Sequence, residues 1–480
     1  MRTRTLLTTA ACTAAVLGLT TLTAATAAPA PGKAAAAPDT ADFNGDGYPD
    51  LAIGAHTATV NGLKKAGALS VVYGSATGFQ YDKASVISEA TDGIPDDPRE
   101  SGTWSHVNGH GDFDHDGYDD LLVADYGDLS ILWGSKQGIT GASAVVPNES
   151  EYRGGPNRLN SAVAIGDVNG DGIPDIHSVT WGSGRLGHGQ VTEYGPFDRT
   201  TGKPKSVVHR DTAALDGHET RYVQVGDMTG DGISDMLIGG VTKQWVHKAT
   251  LFKGTRTSGL VKVGAAPAFI DPDNHNAILP GAFGDINGDG HQDFVSGSGE
   301  KVTVVYGGPK GISTTIPSRS YSQSSTGVPG VGETGDLFGG TVAVADTDQD
   351  GYADVLIGAP GETGTDPATT ARSGALTILR GGKTGITTAG AKSLTQNSTG
   401  IPSASELDDK FATSIRVLDS DKDGKPEVYV GGHGEDNFTG RVWKLKTDPT
   451  GVTGTGATSF AFADLGGPKG LASFGFRTAG

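Results

Sequence analysis

The chain has 480 residues, of which 76 are Gly and 23 are Pro, so about a fifth of it resists long uninterrupted helix. Charged residues make up 19% and hydrophobic residues 36%; 55 Asp and Glu against 37 Lys and Arg leave a net charge of −18, the wrong sign for a nucleic-acid-binding surface. Short apolar β-branched runs recur throughout and exclude a disordered chain, while Gly without a three-residue period excludes collagen.

Residues 1–28 are predicted to be an export signal. Arg2 and Arg4 give a basic start, Leu6 to Leu22 a short apolar middle, and Ala25-Thr26-Ala27 a small-residue exit, with cleavage near Ala27 or Ala28. Residues 29–40, rich in Ala and Pro, read as a flexible lead-in. The only cysteine, Cys12, lies inside the signal. It fits a lipid-anchor motif poorly, because Thr9 replaces the usual aliphatic residue and the apolar stretch ahead of it is short. The mature chain then has no thiol and no disulfide, and an exported protein of this kind needs another source of rigidity, for which metal binding is a candidate. No later stretch approaches 18 consecutive apolar residues, so no membrane-spanning helix is expected.

From residue 41 to 480 the chain repeats one unit. Seven segments share the frame Asp-x-(Asp/Asn/Thr)-x-Asp-Gly-x-x-(Asp/Glu), starting at Asp42, Asp112, Asp167, Asp227, Asp285, Asp346 and Asp419, at intervals of 55 to 73 residues. Such a period calls for a repeat architecture. A short apolar run follows most copies, as in Leu51-Ala52-Ile53, Leu121-Leu122-Val123 and Val355-Leu356-Ile357, and reads as a buried strand. A second strand follows with a Gly at its exit: Val71-Val72-Tyr73-Gly74, Ile131-Leu132-Trp133-Gly134, Val304-Val305-Tyr306-Gly307, Ile378-Leu379-Arg380-Gly381. About 60 residues hold four short strands, and seven small antiparallel sheets set radially make an all-β, seven-bladed β-propeller. Strand-like segments also precede most acidic frames, but only the lead-in precedes the first. Phe474-Gly475-Phe476-Arg477-Thr478-Ala479 is a strand of that kind with no frame after it, so it is predicted to complete blade one and hide a sheet edge.

The seven frames carry the spacing of a calcium loop. Ca²⁺ takes six to eight hard oxygens, and residues 1, 3, 5 and 9 of a tight loop supply side chains while residue 7 supplies a carbonyl. The first loop offers Asp42, Asn44, Asp46, Tyr48 and Asp50; the second Asp112, Asp114, Asp116, Tyr118 and Asp120; the third Asp167, Asn169, Asp171, Ile173 and Asp175. The fourth offers Asp227, Thr229, Asp231, Ile233 and Asp235, with Thr229 marking it as the weakest. The fifth offers Asp285, Asn287, Asp289, His291 and Asp293; the sixth Asp346, Asp348, Asp350, Tyr352 and Asp354; the seventh Asp419, Asp421, Asp423, Lys425 and Glu427. Residue 6 is Gly in all seven, as a turn with positive φ requires. An EF-hand needs Glu at position 12, where this chain has Ile53, Val123, Ser178, Ile238, Ser296, Ile357 and Val430. The loops hold 24 ligand carboxylates; up to seven Ca²⁺ would bring a mature net charge of −20 to −6, so much of the acidity belongs to the loops.

Blade six reads Phe338-Gly339, then Asp346 to Asp354, then Gly358-Ala359-Pro360, then Gly374-Ala375-Leu376. It resembles the FG-GAP repeat of the integrin α-subunit head, and residues 40–480 as a whole are similar to secreted bacterial proteins with these repeats, some named VCBS-repeat proteins. Other copies depart from the pattern, with Gly54-Ala55-His56 and Gly239-Gly240 in place of Gly-Ala-Pro. The resemblance implies a calcium-rigidified platform whose metal loops join the first two strands of each blade, opposite the usual ligand face. It names no ligand.

Two functions follow as expectations: a non-catalytic binding or adhesion module for an extracellular protein or glycan, or a calcium-dependent lectin or carbohydrate-active enzyme such as a polysaccharide lyase or hydrolase. The sequence has no Gly-x-Ser-x-Gly, no His-Glu-x-x-His and no phosphate-cradling loop, which leans against an enzyme. His106, His110 and His115 are the nearest thing to a histidine cluster and read as ordinary surface positions. Trp133 and Trp443 are assigned to the blade core, at the strand position of Tyr73 and Tyr306, with Trp181 and Trp245 open for sugar stacking. Residues 80–103, 361–373 and 387–409 are expected to carry specificity, since loops on rigid scaffolds carry recognition. No nucleic acid and no membrane span is expected, and the protein is expected to be a monomer.

Overall fold

The short apolar runs form strands because they are buried on both faces. Leu51–Ala55, Asp235–Val241, Asp293–Gly297, Asp354–Ala359 and Glu427–Gly432 have every residue buried. In the computed structural model, residues 40–125, 128–147, 163–180, 189–217, 219–242, 246–267 and 281–480 are described. The expected export signal and almost all of the expected lead-in lie outside them, as do Trp181 and Trp245.

Each buried run is the second strand of a four-stranded antiparallel sheet, and there are seven such sheets. In blade two the order from the axis outward is His106–Gly111, Asp120–Asp125, Asp128–Leu132 and Ser143–Val146. Inner strands of neighbouring sheets touch around the axis and wall a central cavity of about 1140 Å³. The molecule is an all-β, seven-bladed propeller.

Its core is divided among the interfaces between blades. Among the described residues, seven apolar clusters each join two neighbouring sheets. One cluster joins blade six to blade seven through Leu356, Leu376, Phe411 and Trp443. Another joins blade seven to blade one through Tyr429, Leu418, Leu51 and Phe474.

Blade one draws its inner strand from the far end of the chain. Phe474–Ala479 pairs antiparallel with Leu51–Ala55, setting Ala52 opposite Ala479, Ile53 opposite Thr478 and Ala55 opposite Phe474. Phe474 is fully buried and stacks on Phe462, with ring centroids 5.5 Å apart.

Three expectations change. Gln80–Ile87 and Thr387–Leu394, counted among the recognition loops, are outer strands of blades one and six. Their mixed polar pattern reflects one covered face and one wet face. The third stretch, residues 361–373, contains a one-turn helix, Pro367–Thr370, capped by Asp366. Trp443 is core, as expected, but at another strand position. It faces Val430, whereas Leu445 takes the register of Val72, so Lys446 and not Trp443 corresponds to Tyr73.

Candidate metal centres

All inner strands run the same way, so all seven acidic loops leave the same face; six join an inner strand to the second strand of their blade, and the first leads into the second strand of blade one, whose inner strand comes from the far end of the chain. Their backbone is wound on their own carboxylates. In every loop the residue-1 carboxylate accepts the amides of residues 5 and 6; for Asp42 these are Asp46 at 3.1 Å and Gly47 at 2.8 Å, and for Asp419 they are Asp423 at 3.1 Å and Gly424 at 2.8 Å. The same pair forms at Asp112, Asp167, Asp227, Asp285 and Asp346. Residue 6 has φ between 81° and 94° in all seven, which favours Gly. The residue-5 carboxylate accepts the residue-7 amide, as Asp46 does from Tyr48 and Asp423 does from Lys425.

Residue 9 is the buried anchor. Asp50, Asp120, Asp175 and Asp293 are wholly buried, and Asp235 and Asp354 nearly so. One oxygen of each accepts an amide from the start of its own loop, and the other accepts the amide of the Gly that ends the third strand. For Asp120 the donors are Phe113 at 2.9 Å and Gly134 at 2.8 Å; for Asp293 they are Ile286 at 3.0 Å and Gly307 at 2.8 Å. The exit Gly was visible in the sequence only as a recurrent mark. A Cβ on Gly134 would lie 2.1 Å from the carbonyl oxygen of Asp119 and disrupt this contact. Burial pushes the pKa of Asp50, Asp120 and Asp293 up to about 8, that of Asp175 to about 7, and those of Asp235 and Asp354 to about 6. A nearby divalent cation favours the ionised form and opposes that shift.

Carboxylates converge most closely where residue 3 is also acidic. Oxygens of Asp112, Asp114 and Asp120 lie within 4.8 Å of one another, as do those of Asp346, Asp348 and Asp350, and those of Asp419, Asp421 and Glu427. Hard oxygen donors held this close, with no sulfur and no imidazole among them, suit Ca²⁺ better than zinc or copper. A carboxylate oxygen has two lone pairs, so residue 9 can hold an amide and still face an ion.

Every stretch matched by the family models contains at least one of these acidic loops. The FG-GAP-like repeat matches residues 112–178 and 285–357, and the FG-GAP repeat matches residues 34–72 and 338–379. The chain carries FG-GAP repeats. It is 27% identical over 271 residues to mouse (Mus musculus) integrin alpha-IIb, an alignment covering 50% of this chain and 23% of that relative, so the chain spans less than a quarter of the relative's length. A solved structure of an Agrocybe aegerita lectin, described as recognising non-reducing terminal N-acetylglucosamine, matches at 16% identity and a TM-score of 0.39, covering 75% of this chain and 80% of that one. That likeness is too low to speak to ligand.

The FG-GAP loops are stitched to one another through the backbone. The amide of Asp119 in loop two donates to the carbonyl of Asp42 in loop one at 3.1 Å; Ser234 donates likewise to Asp167, Gln292 to Asp227, and Ala353 to Asp285. A second set runs from just past each exit Gly, as from Ser135 to Phe43 and from Ser75 to Ser420 across the closing interface. The residue-7 side chains Tyr118 and Tyr352 cover Gly45 and Gly288 of the preceding loops. A change of shape in one loop is therefore felt by the next blade.

Basic side chains also enter these loops, a feature that sequence spacing did not reveal. Arg199, from the third-to-outer hairpin of blade three, holds Asp114 at 2.8 Å and contacts Asp116, with its guanidinium 5.4 Å from the ring centre of Trp133. Arg380 pairs with Asp348, Lys444 lies 2.8 Å from Glu427, and Lys253 lies 2.7 Å from Asp231. Each comes from a strand or hairpin remote in sequence from its partner.

The three histidines of the sequence cluster are not brought together. His110 faces Asp119 at 3.4 Å, His115 lies 3.9 Å from Asp112, and His106 packs edge-on against His56 with ring centres 5.1 Å apart. His56 and His433 also pack on Phe476, placing this group at the closing interface on the face away from the acidic loops. Among the described residues, no helix is long and apolar enough to cross a membrane.

Proposed function

We propose that this protein is an exported FG-GAP propeller stiffened by calcium, serving as a non-catalytic binding platform for an extracellular protein or glycan. The observation that carries this is the convergence of hard oxygens at the second, sixth and seventh loops, in loops bonded to the neighbouring blade. In the family resemblance, the ligand face lies opposite these loops. Here that face bears residues 88–103, 361–373 and 395–409, three connections long enough to vary without disturbing a blade. The Ca²⁺ ions would be held by the side chains of residues 1, 3, 5 and 9 and would supply charge neutralisation and rigidity to the ring, with no chemical step.

The test is a screen of the purified protein on glycan and extracellular-protein arrays, once with calcium and once with a chelator. Calcium-dependent capture of one ligand class is expected. Turnover of a polysaccharide in the same assay would overturn the non-catalytic assignment.

A further inference from the structure

The fourth loop differs from the other six in its backbone and in its charge. In those six the residue-2 amide donates to the residue-9 carboxylate: Phe43, Phe113, Val168, Ile286, Thr347 and Ser420 are the donors. In loop four the bond comes one residue later, from Thr229 to Asp235 at 2.8 Å, while the residue-2 amide, of Met228, turns back to the carbonyl of Gly226. The same six loops aim a residue-3 oxygen inward by bonding it to the residue-5 amide, through Asn44, Asp114, Asn169, Asn287, Asp348 and Asp421. Thr229 is too short to copy this, and the amide of Asp231 bonds Asp227 at 3.1 Å.

The cations follow a rule that loop four breaks. Loops two, six and seven carry four ligand carboxylates, and one basic side chain from outside the loop pairs with each set: Arg199, Arg380 and Lys444. Counting ligand carboxylates and paired cations alone, each is left with three negative charges, as in loops one and five, which carry three ligand carboxylates and an Asn. Among the described residues no ion pair reaches loops one and five. Loop three has only Lys205, 62% exposed and 3.7 Å from Asp171, a pair worth little in water. Loop four already has only three carboxylates, yet Lys253 sits 2.7 Å from Asp231. Lys253 stands at the third-strand exit, where Tyr73 and Tyr306 instead reach across to amides of the next blade, Ile139 and Ile386. Loop four thus combines the poorest residue-3 ligand with an ammonium already on its residue-5 carboxylate.

We infer that Lys253 serves as the resident cation of the fourth loop, which takes no divalent ion, so that the ring holds at most six. This rests on calcium filling the other loops, as proposed above. The test counts calcium per chain by inductively coupled plasma mass spectrometry, on metal-stripped full-length protein re-equilibrated with excess calcium and freed of unbound ion. Wild type is compared with Lys253→Met, with Lys253→Gln as a second neutral variant should the first fail to fold, and with Lys253→Arg as a charge-keeping control. One more ion per chain in the neutral variant than in wild type and Lys253→Arg is the expected result. Seven ions in wild type, or equal nonzero counts in wild type and neutral variant, overturn the inference and leave the calcium assignment standing. Zero in every protein overturns both.

Discussion

A residue such as Asp120 sets the tightest constraint in each blade. It is wholly buried, ionisable and bonded through both oxygens to amides 7 residues before it and 14 after it. Gly134, at the second of those amides, has no room for a methyl group. Gly134→Ala is expected to cost about 1–3 kcal/mol, the usual cost of overpacking a filled site, read as a lower midpoint in urea unfolding. The sequence displayed the two halves of this contact as separate marks, because nothing in spacing alone says which carboxylate meets which strand end. The same holds for Lys253 and Arg380, which read as ordinary strand residues until the sheet turns them onto the loop.

The buried histidines belong to the same scale. Burial, Arg477 and His56 push the pKa of His106 down to about 3; burial, Lys410 and His56 push that of His433 down to about 4, with Asp408 opposing. The folded state keeps both neutral. Once the pH falls below about 6.5 the unfolded chain takes up protons that the folded one refuses, so stability drops by up to about 1.4 kcal/mol per pH unit for each group. Above that pH neither contributes. Urea melts at pH 7 and pH 5 are expected to show His106→Gln losing less stability on acidification than wild type, a difference that leaves out the loop carboxylates common to both. An unchanged pH dependence in the variant would count against the assignment.

Among the elements, the strand Phe474–Ala479 has the largest expected effect on stability. It supplies the innermost row of blade one and inserts Phe474 into the cluster shared with blade seven. Phe474→Ala is expected to cost about 3–5 kcal/mol, measured by thermal or urea unfolding; a loss under 1 kcal/mol would mean that the closing strand adds little. Second and third strands were legible from sequence because burial on both faces writes them as unbroken apolar runs. Outer strands such as Gln80–Ile87 were not, since one wet face mixes Gln, Asp and Lys into the pattern and makes them resemble loops. Trp443 was misplaced for a related reason. Blade seven has Thr447 where the other third strands exit through Gly, so the mark that would fix the register there is missing.

For the whole molecule, the architecture was legible because a period of 55 to 73 residues, seven times over, leaves few ways to bury the runs between. Cohesion around the ring was harder to foresee. It comes from apolar clusters between blades and from backbone bonds that tie each acidic loop to its neighbour on the described arcs. Ions filling those loops, as proposed, would bind the folded ring and not the unfolded chain. Each site at a calcium concentration 100 times its dissociation constant then adds about 2.7 kcal/mol.

Scanning calorimetry of one preparation, first stripped of metal by a chelator and then restored with excess calcium, tests this most directly. The melting temperature is expected to fall by many degrees on stripping and to return with calcium but not with sodium at equal ionic strength. Identical melting curves in all three conditions would contradict the claim that these loops grip divalent ions and stiffen the ring.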